Sequence, residues 1–232
     1  MKLHLNIAEI NCIINTNGGY VERLADNNKE IIYEEYKYIS KEGKEKSRGG
    51  IFACVPNFGV DEITHENKHG YGREKDWGVI KKTSDSVVME LDGEREYEKL
   101  KSYLSYRVLK NSLEADLILE NNGEEILNVA PAFHPYFKTY GQILIEDKIY
   151  SEEELASTVF INQSKMNFTN GDKEFSIETN NINTFALWTD NLDKYFCVEP
   201  TFNGTSFSDK INKPYKLKPG EKFEINMVIS WK

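Results

Sequence analysis

The residues best suited to proton transfer stand in two apolar segments, and in each segment a proline follows at once. His134 precedes Pro135 among three aromatic residues, and Glu199 precedes Pro200 at the end of an apolar run. An imidazole changes charge near neutral pH, and a carboxylate can act as its complementary base or acid. The two residues therefore predict a pair that moves two protons at once.

The residues around His134 predict an extended strand. Alternation places Phe133 and Phe137 on one face of this strand. His134 and Tyr136 then share the opposite face. The proline after the histidine has no N–H to donate, so we expect a strand end or an edge strand and not the interior of a central strand.

Two plainer interpretations stay open at this point. His134 is equally compatible with a core histidine whose ring is satisfied by a backbone carbonyl group. Glu199 is compatible with a carboxylate that has reached solvent at a strand end, because glutamate is rarely buried without a partner.

A second pair of histidines matches the HExxH pattern of zinc enzymes. His65 and His69 have the spacing that brings two imidazoles to one metal when they lie on a helix. Gly70 and Gly72 follow at once, and Ile63 is the only apolar residue in the segment, so it lacks the apolar face of a buried helix. We interpret it as a polar loop that delivers His69 to a site and predict no zinc there. A plain solvated loop is the other interpretation.

Arg48 stands immediately before two glycines and an apolar run. Gly49 and Gly50 permit positive φ or a close approach of two backbone segments. A guanidinium group held at such a turn can donate hydrogen bonds to a hydroxyl or to an anion. A surface arginine at an ordinary turn is the alternative.

Alternating patterns predict the strands that must position these groups. Apolar side chains recur at every second position in the stretches 87–91, 113–119 and 223–231, which is typical of half-buried strands. Asn–Gly, Asp–Gly and Pro–Gly turn signals lie between such stretches. A capping box at residues 151–154 predicts one short helical turn. We therefore predict an all-β antiparallel sandwich or barrel, formed by a single domain over residues 1–232.

Composition limits the classes of partner. The net charge of −9 argues against a nucleic-acid or anionic-membrane surface. The start of the chain lacks the apolar core of a signal peptide, and no apolar run approaches the length of a membrane span. The three cysteines have no metal or disulfide spacing. These features predict a cytoplasmic protein.

In chain order, the motifs resemble those of the aldose 1-epimerase (galactose mutarotase-like) family, and most closely its hexose-6-phosphate mutarotase branch. The interval from His134 to Glu199 is shorter than is usual there. The family has an aspartate in this interval that contacts sugar hydroxyl groups, and Asp172 and Asp190 are the candidates for it. The matching stretches are RGGI at 48–51, PNFG at 56–59, HGYGR at 69–73, FHPYF at 133–137, FALW at 185–188, CVEP at 197–200 and PGE at 219–221.

The resemblance implies a large antiparallel β-sandwich and an isomerase that interconverts the α and β anomers of a hexose or a hexose 6-phosphate. It implies that Glu199 takes the proton of the anomeric hydroxyl group. It also implies that His134 protonates the ring oxygen as the bond between C1 and O5 breaks.

The resemblance further implies which residues bind the sugar. Arg48, His69 and Asp190 would contact it, and Arg73 would favour a phosphorylated substrate. No cofactor or metal is expected, and the protein is expected to be a monomer or a homodimer. Two alternatives stay open, namely a non-catalytic carbohydrate-binding β-sandwich and a sugar-phosphate sensor.

Overall fold

The computed structural model describes residues 1–40, 43, 45–60, 66–204 and 213–232. Within these ranges the chain forms 21 strands, one short α-helix and two 3-10 helices. The strands are β1 Lys2–Ile7, β2 Ile10–Asn15, β3 Tyr20–Asp26, β4 Lys29–Glu30, β5 Tyr36–Ile39, β6 Glu45–Arg48, β7 Ile51–Cys54, β8 Gly78–Lys82, β9 Ser86–Asp92, β10 Leu100–Leu109, β11 Ser112–Asn121, β12 Leu127–Val129, β13 Ala132–Lys138, β14 Ile143–Ile145, β15 Val159–Ile161, β16 Lys165–Asn170, β17 Lys173–Asn180, β18 Phe185–Trp188, β19 Tyr195–Pro200, β20 Tyr215–Leu217 and β21 Lys222–Trp231. The helices are α1 Glu152–Ala156 and the 3-10 helices Gly72–Glu74 and Arg95–Tyr97.

Two large sheets with antiparallel strand pairs make up most of the described chain. The nine-stranded sheet runs in the order β1-β2-β3-β7-β13-β19-β18-β15, with β4 paired to β3. The eight-stranded sheet runs in the order β14-β16-β17-β21-β11-β10-β9-β8. Two further pairs, β12 with β20 and β5 with β6, complete the fold. The predicted all-β antiparallel sandwich is confirmed.

The core lies between the two large sheets and follows from the alternating sequence patterns. Strand β11 buries every second side chain against the nine-stranded sheet. Val21 and Phe133 from one sheet and Leu117 and Ile225 from the other are at most 1% exposed. Each such side chain stabilises the fold by roughly 1.5–3 kcal/mol. The three alternating stretches predicted as strands lie within β9, β11 and β21, so that prediction is confirmed.

The position predicted for His134 was wrong. It lies in the interior of β13, and β13 lies between β7 and β19 in the middle of the nine-stranded sheet. Strand β13 pairs with β19 at Tyr136↔Cys197 and again at the isolated bridge Ala132↔Thr201, but not between them. Pro135 falls inside this gap, so its missing N–H costs the ladder nothing. A central strand therefore tolerates the proline.

Strands β5 and β6 form a hairpin. The short helical turn predicted from the capping box is confirmed. Helix α1 has the capping box in which Ser151 and Glu154 satisfy each other's backbone N–H groups. No helix among the described residues is long and apolar enough to cross a membrane.

Candidate active site

Two of the residues singled out from the sequence face each other across neighbouring strands. Counting from the Tyr136↔Cys197 pair places His134 directly opposite Glu199. The His134 Nε2 and Glu199 Oε2 atoms are 3.3 Å apart, and each side chain is 3% exposed. The pair lies in the gap of the β13–β19 ladder, with one proline on each strand. The gap and the pair therefore occupy the same place in the sheet.

Packing on the opposite face of β13 fixes the side of the sheet on which this pair lies. Phe137 alternates with His134 and Tyr136, so it points into the core, where it is fully buried against Phe168, Phe175 and other rings. A slip of one residue would move the histidine into the core and the phenylalanine out of it. The apolar face of β13 thus determines which way His134 points.

Aromatic rings enclose the His134 imidazole on both faces. The Phe52 ring lies 4.8 Å from it at an angle of 28°, and the Tyr136 ring lies 4.7 Å from it at 6°. Phe52 reaches this position because β7 pairs residue 52 with residue 134. The rings keep water from the imidazole, so its charged form loses solvation.

Burial moves the two pKa values of the pair in opposite directions. Desolvation, assisted by the positive charges of Arg73, Lys68 and Arg48, lowers the pKa of His134 well below its usual 6.5. Desolvation raises the pKa of Glu199 to about 8, and the Lys68 charge opposes this only in part. Across the neutral range the pair therefore holds one proton, which gives it one donor and one acceptor.

His69 adds a neutral hydrogen-bond donor beside the pair. Its ring lies 4.8 Å from that of His134, edge to face. Arg73 donates from Nη1 to the His69 Nδ1 atom at 3.0 Å, which places the imidazole proton on Nε2. The Nε2 atom is buried and has no partner among the described residues. Burial, followed by the neighbouring His134 and Arg73, lowers the His69 pKa, so this ring stays neutral.

Backbone geometry carries His69 to this place. The residue has φ of +73°, in a turn where Gly70 follows at +65°. A Cβ atom at Gly70 would lie 1.9 Å from the Val55 carbonyl oxygen, so only glycine fits this approach. The predicted polar loop around His69 is therefore a tight turn packed on β7. His65 and the rest of the segment 61–65 lie outside the described residues, so the interpretation of the HExxH pattern stays a prediction.

Arg73 is occupied by protein groups in this structure. Besides its contact with His69, it donates from Nη2 to the Ser47 hydroxyl at 2.9 Å. Its guanidinium group also lies over the Phe52 ring, 4.6 Å from the ring centroid. Arg73 thus orients a histidine of the site, a role that the sequence did not suggest.

Arg48 and Asp190 form the polar wall of the site. The Arg48 Nε atom donates to Asp190 Oδ2 at 2.8 Å, and both side chains are about four-fifths buried. The Arg48 guanidinium lies over the Trp188 ring, which contacts the edge of His134. The Tyr195 hydroxyl donates to the other Asp190 oxygen. Arginine and aspartate together offer donors and acceptors to adjacent hydroxyl groups.

The structure distinguishes the two candidate aspartates. Asp190 lies at the site through Arg48, whereas Asp172 is 78% exposed and pairs with Lys29 elsewhere. All six residues selected from the sequence as site residues therefore lie in one connected group. Phe52 and Ser47 were missed. Phe52 reaches His134 through the pairing of β7 with β13, and Ser47 reaches Arg73 from 26 residues away in the sequence. The residue types of Phe52 and Ser47 carried no signal.

One further side chain lies close to the proton-transfer pair. The Cys197 sulfur and the ligand atoms of His134 and Glu199 lie within 4.8 Å of one another, the only such group among the described residues. A nitrogen, a sulfur and an oxygen are ligands that zinc accepts. The register of β13 and β19 places these three residues on neighbouring strands, which accounts for their proximity. All three cysteines are free and buried.

Comparison with known proteins gives the class of the fold. No protein-family model matches the chain, and no curated relative is similar in sequence. Solved structures do match. A galactose mutarotase-like protein from Lactobacillus casei ATCC 334 has a TM-score of 0.83 at 12% identity, with 100% of both chains covered. A galactose mutarotase related enzyme from Lactobacillus acidophilus has a TM-score of 0.81 at 15% identity, covering 100% of this chain and 97% of the other.

A third solved structure gives the same result. The aldose epimerase homologue from C. elegans has a TM-score of 0.69 at 12% identity, covering 100% of this chain and 99% of the other. The chain therefore has the galactose mutarotase-like β-sandwich fold. Identities this low establish the fold, and function must be argued from the site itself.

Proposed function

We propose that the protein is a mutarotase that interconverts the α and β anomers of a sugar. The observation that carries the proposal is the buried pair His134 and Glu199, 3.3 Å apart, whose pKa values are displaced in opposite directions so that their usual order is reversed. Mutarotation needs one proton donor and one proton acceptor at a single carbon, and a pair that holds one proton supplies both. The structural relatives support the same class of reaction.

The reaction would proceed through the open-chain sugar. The anomeric hydroxyl gives its proton to the Glu199 carboxylate as the C1–O1 bond becomes a carbonyl. The C1–O5 bond breaks, and O5 takes the proton of the His134 imidazolium. Rotation about C1–C2 presents the other face of the carbonyl, and reversal of both transfers closes the ring as the opposite anomer. Each transfer contributes roughly 10²–10⁴-fold to the rate.

Substrate binding would place the single proton where ring opening needs it. In the unliganded pair, burial favours the carboxylic acid and the neutral imidazole. A hydroxyl group that donates to Glu199 stabilises its carboxylate, and the proton then moves to His134. Ring opening transfers the His134 proton to O5 and the anomeric hydroxyl proton to Glu199, so the pair ends each half-reaction with the number of protons it started with.

The remaining residues would hold the sugar ring. The buried Nε2–H of His69 is an available donor for a sugar oxygen near C1. Its positive end would help to stabilise negative charge that develops on the ring oxygen. Arg48 and Asp190 form a paired donor and acceptor that can bridge two neighbouring hydroxyl groups. Because other side chains already hold these groups in place, they lose little conformational entropy when the sugar binds.

A non-catalytic sugar-binding protein is the second candidate, and the partly exposed tyrosines near the site favour it. A sugar-binding protein or a sugar-phosphate sensor needs aromatic rings and hydrogen-bond partners for hydroxyl groups. It does not need a carboxyl group of raised pKa next to an imidazole. Polarimetry of freshly dissolved α-glucose and α-galactose separates the two. A mutarotase accelerates the approach to the equilibrium rotation in proportion to protein concentration, and a binder leaves the spontaneous rate unchanged.

The protonation of the pair predicts the pH dependence of turnover. The active form holds one proton, so kcat/KM should fall on the alkaline side with a midpoint near pH 8, where the pair loses that proton. On the acid side it should fall only well below pH 6.5, where the pair gains a second proton. Initial rates corrected for the spontaneous reaction at each pH test this. A plateau that continues unchanged to pH 9.5 would contradict the assignment of Glu199.

The preference for a phosphorylated hexose remains a prediction, and its proposed determinant is Arg73. The exposed Lys68, whose charge acts on Glu199, adds positive potential at the same place. We expect glucose 6-phosphate to be preferred to glucose, and the ratio of their kcat/KM values to fall roughly tenfold or more in Arg73→Ala. Arg73 also orients His69, so the variant should slow both sugars, and only the ratio reports on the phosphate.

Arg107→Ala is the matched control for that experiment. Arg107 is 57% exposed on β10 in the other sheet, so its loss removes one positive charge without touching the site. The control should keep the wild-type ratio. Equal use of both sugars by the wild type, with the same ratio in Arg73→Ala, would assign the protein to unphosphorylated aldoses instead.

A further inference from the structure

A buried asparagine joins the chain that follows β7 to the turn that carries His69. Asn57 is 0% exposed, and its Nδ2 atom donates to the backbone carbonyl oxygens of Gly59 and Asn67. The bond to Asn67 is 3.1 Å long and joins residues ten positions apart. Because both acceptors are carbonyl oxygens, the amide nitrogen and not the amide oxygen must face them. Both N–H donors of this side chain therefore hold backbone.

The Asn67 carbonyl is part of the turn itself. Gly70 N donates to the Asn67 oxygen at 2.9 Å, which closes a four-residue turn with His69 in its third position. His69 has φ of +73°, a conformation that costs free energy for residues other than glycine. A residue keeps such a conformation only where its surroundings enforce it. By holding the carbonyl group that closes the turn, Asn57 belongs to those surroundings.

Backbone hydrogen bonds of the next residue tie the same segment to the strand of the His134–Glu199 pair. Phe58 N donates to the Ala130 oxygen at 2.8 Å, shortly before β13 begins. The Phe58 oxygen accepts from His69 N at 2.9 Å. The segment thus lies between β13, which carries His134, and the turn, which carries His69. A group that fixes this segment to the turn also fixes the turn relative to β13.

Packing alone does not account for an asparagine at this position. The Asn57 Oδ1 atom is buried and has no hydrogen-bond partner among the described residues, a cost that an apolar side chain of similar size would avoid. Asn121 is equally buried and also donates to two carbonyl oxygens, but its Oδ1 atom accepts from Gly123 N. The favourable contacts of Asn57 are thus its two donor bonds, and one of them ends on the turn of His69.

The position of the turn sets the position of the His69 ring beside the pair. This ring lies 4.8 Å from the His134 ring and 5.7 Å from the Phe58 ring. Hydrogen bonds weaken steeply as their length and angle depart from the optimum. A displacement of about 1 Å is enough to lower a catalytic rate severely. The Nε2–H of His69 therefore depends on how firmly the turn is held.

We propose that Asn57 is a positioning residue of the site, which holds the turn so that the Nε2–H of His69 points toward the anomeric centre of the sugar. The role of His69 rests on the proposed function, and Asn57 itself touches no substrate. Two consequences separate this role from a contribution to folding alone. Loss of the Asn57 amide should move the His69 ring, and it should slow turnover only while His69 is present.

The kinetic test uses Asn57→Ala, with Asn121→Ala as the matched control. Asn121 lies at the end of β11 in the other sheet, and its carbonyl partners, Glu125 and Leu217, are not site residues. Both variants remove a fully buried asparagine, so both should lower the midpoint of urea unfolding. We expect kcat/KM for anomer exchange to fall roughly 10–10²-fold in Asn57→Ala and to keep the wild-type value in Asn121→Ala.

The same substitution in a His69→Ala background tests whether Asn57 acts through His69. If it does, adding Asn57→Ala to His69→Ala should lower kcat/KM by less than about threefold, because the interaction that it supports is already gone. A residue that only stabilises the fold would lower the rate by the same factor in both backgrounds. The sugar is whichever of glucose, galactose and glucose 6-phosphate the wild type turns over fastest.

The His69 ring gives a readout that needs no turnover. NMR correlation of imidazole nitrogens with ring protons, assigned by the loss of signals in His69→Ala, should show a neutral His69 with its proton on Nε2 in the wild type. We expect these signals to shift in Asn57→Ala and to keep their positions in Asn121→Ala. If Asn57→Ala does not fold, Asn57→Ser, which keeps one donor, takes its place with an expected loss of roughly three- to tenfold in kcat/KM.

Each outcome decides the point. If the wild type catalyses exchange and the substitution at Asn57 leaves kcat/KM unchanged, or lowers it equally with and without His69, the positioning role is overturned and the mutarotase proposal stands. If no sugar is turned over, the proposed function fails and the His69 signals decide. Signals that shift with the substitution at Asn57 but not in Asn121→Ala support the positioning role. Signals that stay in place, or shift in both, overturn it.

Discussion

Replacing Glu199 by glutamine is expected to lower kcat for anomer exchange by about 10²–10⁴-fold, and His134→Ala is expected to do the same. Glutamine keeps the shape of the side chain but cannot exchange a proton, and alanine removes the other half of the pair. Because the two groups hand one proton between them, the double variant should be little slower than the slower single variant. Initial rates at saturating sugar provide the measurement.

The control for this experiment is a carboxylate of similar burial that contacts neither member of the pair. Glu22 is 8% exposed and is held by Asn15 and Lys2. Glu22→Gln should retain wild-type turnover, and circular dichroism should show the same β-sheet spectrum for all variants. Near-normal exchange rates in both Glu199→Gln and His134→Ala would remove the pair from the mechanism.

The same pair should make the stability of the wild type depend on pH. In the native state it holds one proton up to about pH 8, whereas the unfolded chain loses that proton by about pH 6.5, the usual histidine value. Between these two pH values the native state binds one proton more, so stability falls as pH rises. At about 1.4 kcal/mol per pH unit, the loss between pH 6.5 and 8 is about 2 kcal/mol.

Glu199→Gln should abolish this loss. Without the carboxyl group neither state binds a proton at this pair above pH 6.5, so the variant should gain about 2 kcal/mol relative to wild type as pH rises from 6.5 to 8. Urea unfolding at both pH values gives the difference, and contributions from all other groups cancel. Glu22→Gln should show the wild-type decrease. A constant difference between wild type and Glu199→Gln would show that Glu199 titrates normally.

The residue types and periods of the sequence were enough to predict the strands and the chemistry of the pair. Apolar residues at every second position predicted β11 and β21, because the side chains of a half-buried strand point alternately to the core and to solvent. The alternation around His134 also predicted correctly which side chains share its face. The distance between His134 and Glu199, by contrast, depends on a strand register set by pairs elsewhere in the sheet, and no local pattern encodes it.

Proline was the main source of error at the site. Pro135 suggested a strand end because a missing donor is normally costly inside a sheet. The structure avoids this cost by leaving a gap in the β13–β19 ladder, with Pro135 on one strand and Pro200 on the other. The contact of Arg73 with Ser47 was not predicted either, because it joins residues 26 positions apart that only the folded chain brings together.

The most direct test of the proposed function is magnetisation transfer between the two anomeric proton signals of glucose at equilibrium. The measurement reports exchange itself, needs no coupled enzyme and can be made with each sugar in turn. We predict exchange that grows in proportion to wild-type protein, falls by at least 10²-fold in Glu199→Gln and is unaffected in Glu22→Gln. Exchange at the spontaneous rate for glucose, galactose and glucose 6-phosphate alike, at protein concentrations where these sugars bind, would contradict the mutarotase proposal and favour a sugar-binding protein.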